Sequence, residues 1–115
     1  MANLSGFSQP YSLTNDNIGR HVVEKTAGVY RLDKSRDGAF RTDYVGRSDN
    51  DLLGKLREWV GKYAYFSFQN FSVSKAAFEM ECSIYHDLKP ADNVTHPVVP
   101  TNIDCQCPES NCTSR

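Results

Sequence analysis

The chain has 115 residues, with 13 Lys or Arg against 14 Asp or Glu and a net charge of −1 at neutral pH. This length supports one compact domain and no second core, and the charge balance excludes a uniformly basic nucleic-acid-binding protein. No segment reaches the roughly 18–20 apolar residues of a membrane span, and no secretory signal opens the sequence. We therefore expect a cytoplasmic protein with no membrane segment and with reduced thiols.

Three zones differ in composition along the chain. Residues 1–26 are polar and irregular, which predicts a lead-in segment. Residues 27–93 carry the regular hydrophobic pattern of the domain. Residues 94–115 contain three prolines and three cysteines, which is typical of an extended tail.

A β-hairpin opens the middle zone. Residues 27–33 alternate as a strand, and residues 40–45 return as a second, antiparallel strand. Asp37-Gly38 between them is a strong turn signal because glycine accepts a positive φ. Basic residues crowd this hairpin: Arg31, Lys34, Arg36, Arg41 and Arg47. We expect Arg31 and Arg41 to contact phosphate, with a merely solvated basic face as the alternative.

A helix, a strand and a second helix complete the pattern. The first helix is capped by Asp49 or Asn50 and runs to about residue 63. Four residues form its buried stripe: Leu52, Leu56, Trp59 and Tyr63. Residues 64–73 alternate as an aromatic strand, and the second helix starts at Ser74 and is ended by Pro90. The order β-β-α-β-α predicts an α+β fold with a small three-stranded antiparallel sheet and flanking helices.

One carboxylate stands on the apolar face of the second helix. The face is formed by Ala77, Phe78, Ile84, Tyr85 and Leu88. At about 100° per residue, Glu81 lies near the centre of this arc, whereas Glu79 points to water. A buried carboxylate is costly unless it is paired or binds metal. Two interpretations stay open: a structural ion pair with a basic side chain, or a Mg²⁺ ligand beside a phosphate substrate.

Two short signatures frame the hairpin, Gly28-Val29-Tyr30 and Tyr44-Val45-Gly46. Tyrosines on strands are most often core or rim aromatics, so either signature alone carries little weight. Combined with Glu81 on the apolar helical face, they are more specific. With this combination the chain resembles the GIY-YIG nuclease family over about residues 27–93.

The residues around the signatures narrow the resemblance. Arg31 follows the first and Arg47 the second, which is similar to the nuclease domain of bacterial excision repair. In the family, the metal-binding glutamate stands nine residues before a proline, with an asparagine three residues further on. Glu81, Pro90 and Asn93 have this spacing.

The resemblance implies hydrolysis of a phosphodiester bond with one divalent ion, Mg²⁺ or Mn²⁺. It implies that Tyr30 acts as general base or directs the attacking water, and that Tyr44 hydrogen-bonds the scissile phosphate. Glu81 would hold the metal, and Asn93 would hold the loop after the second helix near the site.

Two positions depart from the family pattern, which has an Arg on the first helix and a Tyr or His four residues later. Lys55 and Trp59 take these positions, in a register that needs one inserted residue, and Trp59 is expected there to contact substrate. Lys keeps the charge but loses the bidentate fork, Trp cannot titrate, and Arg47 is the candidate for the missing guanidinium. Two functions follow: an active DNA endonuclease, or a catalytically impaired module that binds nucleic acid or a protein.

The tail offers a weak metal pattern in Cys105, Cys107 and Cys112. The spacing C-x-C-x₄-C does not match paired C-x₂-C knuckles, so we expect reduced thiols rather than zinc. His96, before Pro97, is expected to be an ordinary loop residue. The sequence shows no DNA-reading module of a known type, so a homodimer or a protein partner would supply specificity for the nucleic acid.

Overall fold

The computed structural model of the protein describes residues 4–23, 25–34, 40–93, 96–98, 100 and 108. The elements along these residues are β1 (Tyr11–Ser12), α1 (Asn15–His21), β2 (Ala27–Asp33), β3 (Tyr44–Ser48), α2 (Leu52–Arg57), β4 (Tyr65–Phe71) and α3 (Ser74–Leu88). The strands form one antiparallel sheet in the order β1-β4-β2-β3. The predicted α+β class is confirmed. The described sheet has four strands, so the prediction of three was wrong.

The additional strand and a helix come from the first 26 residues, which were expected to be irregular. β1 pairs with β4 through Tyr11 and Phe66. Thr14 caps α1 by accepting a hydrogen bond from the Asn17 amide at 3.2 Å, and Ile18 is the buried residue of this helix. A two-residue strand and a seven-residue helix are too short to show a hydrophobic period.

The second strand of the hairpin is shifted relative to its prediction. β2 has the predicted bounds, whereas the second strand is Tyr44–Ser48 rather than residues 40–45. Asp33 accepts a hydrogen bond from the Arg41 amide at 3.0 Å, which holds the approach to β3 as a loop. The predicted Asp37-Gly38 turn lies outside the described residues.

α2 is shorter than predicted. Its N-cap is Asp51 rather than the predicted Asp49 or Asn50, and Asp51 accepts a hydrogen bond from the Gly54 amide at 3.1 Å. The helix ends at Arg57 instead of about residue 63. Gly61, four residues after the end of α2, has a φ of 90°, a conformation that excludes a continuous helix from reaching residue 63.

The last strand and the last helix lie close to their predicted bounds. β4 is slightly shorter than the predicted residues 64–73. α3 begins at Ser74, as expected, and ends at Leu88, which is exposed rather than part of the buried face. Lys89 then takes a left-handed φ of 47°, and Pro90 prevents the helix from continuing.

The sheet lies between two helical layers. One face packs against α1 and α2 through Tyr30, Leu32 and Leu56, and the other packs against α3 through Val29 and Ala77. Successive side chains of a strand point to opposite faces, so the edge strand β3 carries residues into both layers. Across the described ranges, no helix has the length and apolar character needed to cross a membrane.

Candidate functional site

A cleft of about 310 Å³ lies beside the edge strand β3. Its walls come from β2, β3, α2, α3 and the segment that follows α3. Six residues that the sequence predicted for a site line it: Tyr30, Tyr44, Arg47, Lys55, Glu81 and Asn93. Five further residues of the described chain share the lining: Gly46, Asp92, His96, Pro97 and Val98.

Tyr30 and Gly46 are cross-strand partners in the sheet. A Cβ atom on Gly46 would collide with the hydroxyl end of Tyr30, so the glycine of the second signature makes room for the tyrosine of the first. The Tyr30 ring is fully buried, and its Oη accepts a hydrogen bond of 2.9 Å from Trp59 Nε1. Burial, and after it the neighbouring Tyr44, raises the pKa of Tyr30 far above its ordinary value. This phenol is therefore protonated at neutral pH.

Tyr44 is half-buried in a cluster of aromatic rings. Its ring centroid lies 4.9 Å from that of Trp59 and 6.3 Å from that of Tyr30. Burial, followed by the charge of Glu81, raises the pKa of Tyr44, so its hydroxyl is a neutral donor on the wall of the cleft. Trp59, predicted to contact substrate, is outside the cleft lining and contacts both tyrosines instead.

Arg47 and Glu81 form an ion pair in the cleft. Arg47 Nη1 lies 2.9 Å from Glu81 Oε1, and the two side chains are 10% and 11% exposed. Asp49 accepts a hydrogen bond from Arg47 Nε at 2.7 Å, and the guanidinium carbon lies 5.4 Å from the centroid of the Phe78 ring. The ion pair that the helical pattern left open for Glu81 is therefore present.

Burial dominates the electrostatics of Glu81. It raises the pKa of this carboxyl group from 4.5 to about 7, although Arg47 acts in the opposite direction. One ion pair does not replace all the hydration that a buried carboxylate loses. The charge is incompletely compensated, and a cation at the other oxygen, Oε2, would favour the ionised form.

Lys55 brings a second cation to the cleft from α2. Its ammonium nitrogen lies 3.6 Å from the Glu58 carboxylate, and its side chain is 41% exposed. An ion pair at this exposure adds little stability. Lys55 can therefore exchange Glu58 for an anion in the cleft at small cost.

Arg31 and Arg41, predicted to contact substrate, are not among the residues that line the cleft. The Arg31 guanidinium lies over the Phe7 ring at 4.7 Å and over the Phe40 ring at 5.1 Å. Arg41 is exposed beyond the end of the β2–β3 pairing. Among the described arginines of the hairpin, Arg47 is the one that enters the cleft.

Asn93 fastens the segment after α3 to β3. Its Oδ1 accepts a hydrogen bond from the Val45 amide at 2.8 Å, and its Nδ2 donates to the Val45 carbonyl at 3.0 Å. The adjacent Asp92 accepts a hydrogen bond from Tyr63 Oη at 2.7 Å. Residues 96–98 also form part of the cleft wall.

His96 is one of the cleft residues that the sequence pattern missed. The sequence predicts an ordinary loop residue at this position. The sequence feature that could have indicated a site residue is its place three residues after Asn93. Its Nδ1 lies 2.8 Å from the Pro97 carbonyl oxygen. Its ring centroid lies 5.4 Å from that of Tyr85 and 5.3 Å from that of His86.

A divalent metal in the cleft would depend on Glu81. No group of three or more His, Cys, Asp or Glu side chains in the described ranges is arranged to hold a metal. The donor chemistry nevertheless fits Mg²⁺, which binds through one or two carboxylates and keeps water or phosphate oxygens as its other ligands. The cysteines considered for zinc lie outside the described residues: Cys105, Cys107 and Cys112.

No family model, curated protein sequence or solved structure matches the chain. The cleft is therefore interpreted from its own residues. They combine two tyrosine hydroxyls, two cations and one under-compensated carboxylate around a common space. Such a set of donors and charges suits a phosphate-bearing ligand.

Proposed function

We propose that the chain is a GIY-YIG-type endonuclease that hydrolyses phosphodiester bonds in DNA with a single divalent metal ion. The observation that carries the proposal is the convergence on one cleft of Tyr30, Tyr44, Arg47, Lys55 and Glu81. The order β2, β3, α2, β4, α3 supports it, because it follows the β-β-α-β-α order expected for this family. The pairing of Tyr30 with Gly46 adds support by giving the two signatures one structural reason.

Arg47 and Lys55 would neutralise the scissile phosphate. A guanidinium has five N–H donors, and Arg47 uses some of them on Glu81 and Asp49. A phosphate would compete with these two carboxylates for the guanidinium. Tyr44 would donate its hydroxyl hydrogen to a phosphate oxygen, since its raised pKa keeps it protonated.

Glu81 would hold Mg²⁺ or Mn²⁺ through Oε2, since Oε1 binds Arg47. A bound ion would supply positive charge that stabilises the leaving oxygen. The burial of Glu81 excludes most water from the carboxylate, which strengthens its attraction for a cation.

Tyr30 would orient the attacking water rather than deprotonate it. Burial raises the pKa of this phenol, so the phenolate is scarce at neutral pH. Trp59 Nε1 donates to Oη, which leaves the phenolic hydrogen as the donor toward the cleft that Tyr30 lines. Trp59 therefore fixes the orientation of Tyr30 without titrating itself.

The nuclease proposal is tested by incubating the protein with plasmid, single-stranded DNA, branched DNA and RNA in Mg²⁺, in Mn²⁺ and in EDTA. We expect metal-dependent cleavage of DNA that Glu81→Gln lowers by about 10²-fold or more, the scale of losing one electrostatic stabiliser. Glu79→Gln is the matched control on the same helix, because Glu79 is not in the cleft lining. Wild-type protein that cuts nothing, or Glu81→Gln protein that cuts at the wild-type rate, contradicts the proposal.

One observation favours a second function. The Arg47–Glu81 ion pair occupies the carboxylate that would hold the metal, and Lys55 lacks the bidentate fork of arginine. In this alternative the domain is catalytically impaired and binds nucleic acid or a protein partner. It predicts DNA binding that weakens steeply between about 50 and 200 mM salt without metal-dependent turnover. Cleavage by the Lys55→Arg, Trp59→Tyr double variant alone would then support it.

A further inference from the structure

We propose that His96 is the general base of the cleft and accepts a proton from the water that attacks the scissile phosphate. This role rests on the proposed phosphodiester hydrolysis and gives that reaction a base that the two signatures and Glu81 do not supply. His96 lines the same cleft as Tyr30, Arg47 and Glu81.

The other acid–base groups of the cleft suit this role less well. Tyr30 is buried, accepts a hydrogen bond from Trp59 and has a raised pKa. Glu81 is the proposed metal ligand. Asp92 accepts a hydrogen bond from the Tyr63 hydroxyl, which lowers the pKa of this carboxyl group and makes it a weak base. An imidazole, in contrast, ordinarily changes charge between about pH 5 and 8, where a general base is most effective.

The surroundings of His96 orient its ring. Nδ1 lies 2.8 Å from the carbonyl oxygen of Pro97. Because a carbonyl oxygen only accepts hydrogen bonds, Nδ1 carries the hydrogen in the neutral ring and Nε2 carries the lone pair. The rings of Tyr85 and His86 pack against the imidazole at 5.4 and 5.3 Å, and the Asn93 tether fixes the start of the segment.

Charged and titratable groups of both signs share this environment. They are Tyr85 and His86 by ring contact, and Tyr30, Tyr44, Arg47, Lys55, Glu81 and Asp92 across the cleft. A bound phosphate would add negative charge, which favours the imidazolium that forms as the water is deprotonated.

The proposed step balances with water as the only co-reactant. The water oxygen forms a new bond to phosphorus, and the bond from phosphorus to the leaving sugar oxygen breaks. Nε2 of His96 takes one proton of the water, and the leaving oxygen takes a proton from solvent. The imidazolium then returns its proton to solvent.

The pH profile of plasmid cleavage in Mn²⁺ tests this role with His96→Asn and, as the control, His21→Asn. Since general base catalysis contributes about 10²–10⁴ in rate, we expect His96→Asn to lose at least about 10²-fold and to lose the acid limb of the profile. His21→Asn removes an exposed imidazole on α1 that is outside the cleft lining, and it should keep the wild-type rate and profile.

Repeating the pH profile at a second Mn²⁺ concentration distinguishes an acid limb caused by His96 from one caused by Glu81. An acid limb caused by protonation of the metal ligand moves to lower pH as Mn²⁺ rises, whereas a limb caused by His96 stays in place. A moving limb, or a wild-type rate in His96→Asn, overturns the role of His96 and leaves the nuclease proposal intact. Wild-type protein that never cleaves refutes both.

Nitrogen-15 NMR of the histidine rings reads the tautomer without any activity or variant. In the neutral wild-type protein we expect the hydrogen of His96 on Nδ1. A hydrogen on Nε2 would show that the ring cannot accept a proton there, which overturns the proposed role even if His96→Asn fails to fold.

Discussion

Glu81→Gln tests whether the buried ion pair stabilises the fold or is retained at a cost. The pKa of Glu81 rises from its ordinary 4.5 to about 7 on folding, so the folded protein binds this proton more tightly than the unfolded chain. The free energy of unfolding therefore falls as pH rises from 4.5 to 7, and the loss is complete above about pH 7. Since one pKa unit is worth about 1.36 kcal/mol, ionised Glu81 costs about 3 kcal/mol.

Glutamine keeps the shape of the side chain and an oxygen that can accept from Arg47, but it does not titrate. We expect Glu81→Gln to be more stable than wild type by up to about 3 kcal/mol at pH 8. The difference should shrink toward zero near pH 4.5, where wild-type Glu81 is protonated. Arg47 keeps Asp49 as a charged partner in the variant.

Urea denaturation at pH 5 and at pH 8 measures this difference, with Glu79→Gln as the control on the same helix. The alternative expectation has the opposite sign, because removing one partner of a net stabilising buried pair costs about 3–5 kcal/mol. A Glu81→Gln variant that is less stable than wild type at pH 8 would therefore refute the dominance of burial at this carboxylate.

Three further substitutions test the packing around the cleft. Gly46→Ala should lower the free energy of unfolding by about 1–3 kcal/mol in urea denaturation, the usual cost of overpacking, because the new Cβ collides with the Tyr30 hydroxyl end. The control Gly19→Ala, whose Cβ would lie 3.6 Å from its nearest neighbour, should not lower it. Equal losses of stability in the two variants would contradict the collision. Trp59→Phe should lower the free energy of unfolding by about 1–2 kcal/mol by removing the donor to Tyr30 Oη. In a double-mutant cycle with Tyr30→Phe, additive losses of stability would show that this hydrogen bond is not the cause. Asn93→Ala should lower the free energy of unfolding by about 1–2 kcal/mol and speed hydrogen exchange at the β3 amide it binds; unchanged exchange would show that the tether does not hold the segment.

The parts of the fold that the sequence predicted best have a long hydrophobic period. α3 has 15 residues, enough to show which side faces the sheet. Gly61, a single residue with positive φ, excludes the predicted extension of α2 to residue 63, and the beginning of α1 depends on the Thr14 cap. Features of one residue do not produce a periodic signal, so they were missed.

In the candidate site, too, some features follow from local sequence and others depend on contacts between distant residues. The burial of Glu81 follows from its place on a helical face, which is a local property of the sequence. Its partner Arg47 lies 34 residues earlier in the chain, and only the packing of α3 against β3 brings the two together. His96 also lines the cleft, and the nearby Asn93 binds Val45, 48 residues away, a contact that no local pattern specifies.

The ion pair and the metal site are compatible states of Glu81 in the proposed function. A phosphate that bound Arg47 alone would leave Glu81 buried and unpaired, and breaking a buried pair in this way costs about 3–5 kcal/mol. A cation that bound Glu81 alone would leave Arg47 with Asp49 as its charged partner. When both bind together, each buried charge keeps a partner of opposite sign. In the proposed function, the cleft would therefore favour joint binding of metal and phosphate over binding of phosphate alone.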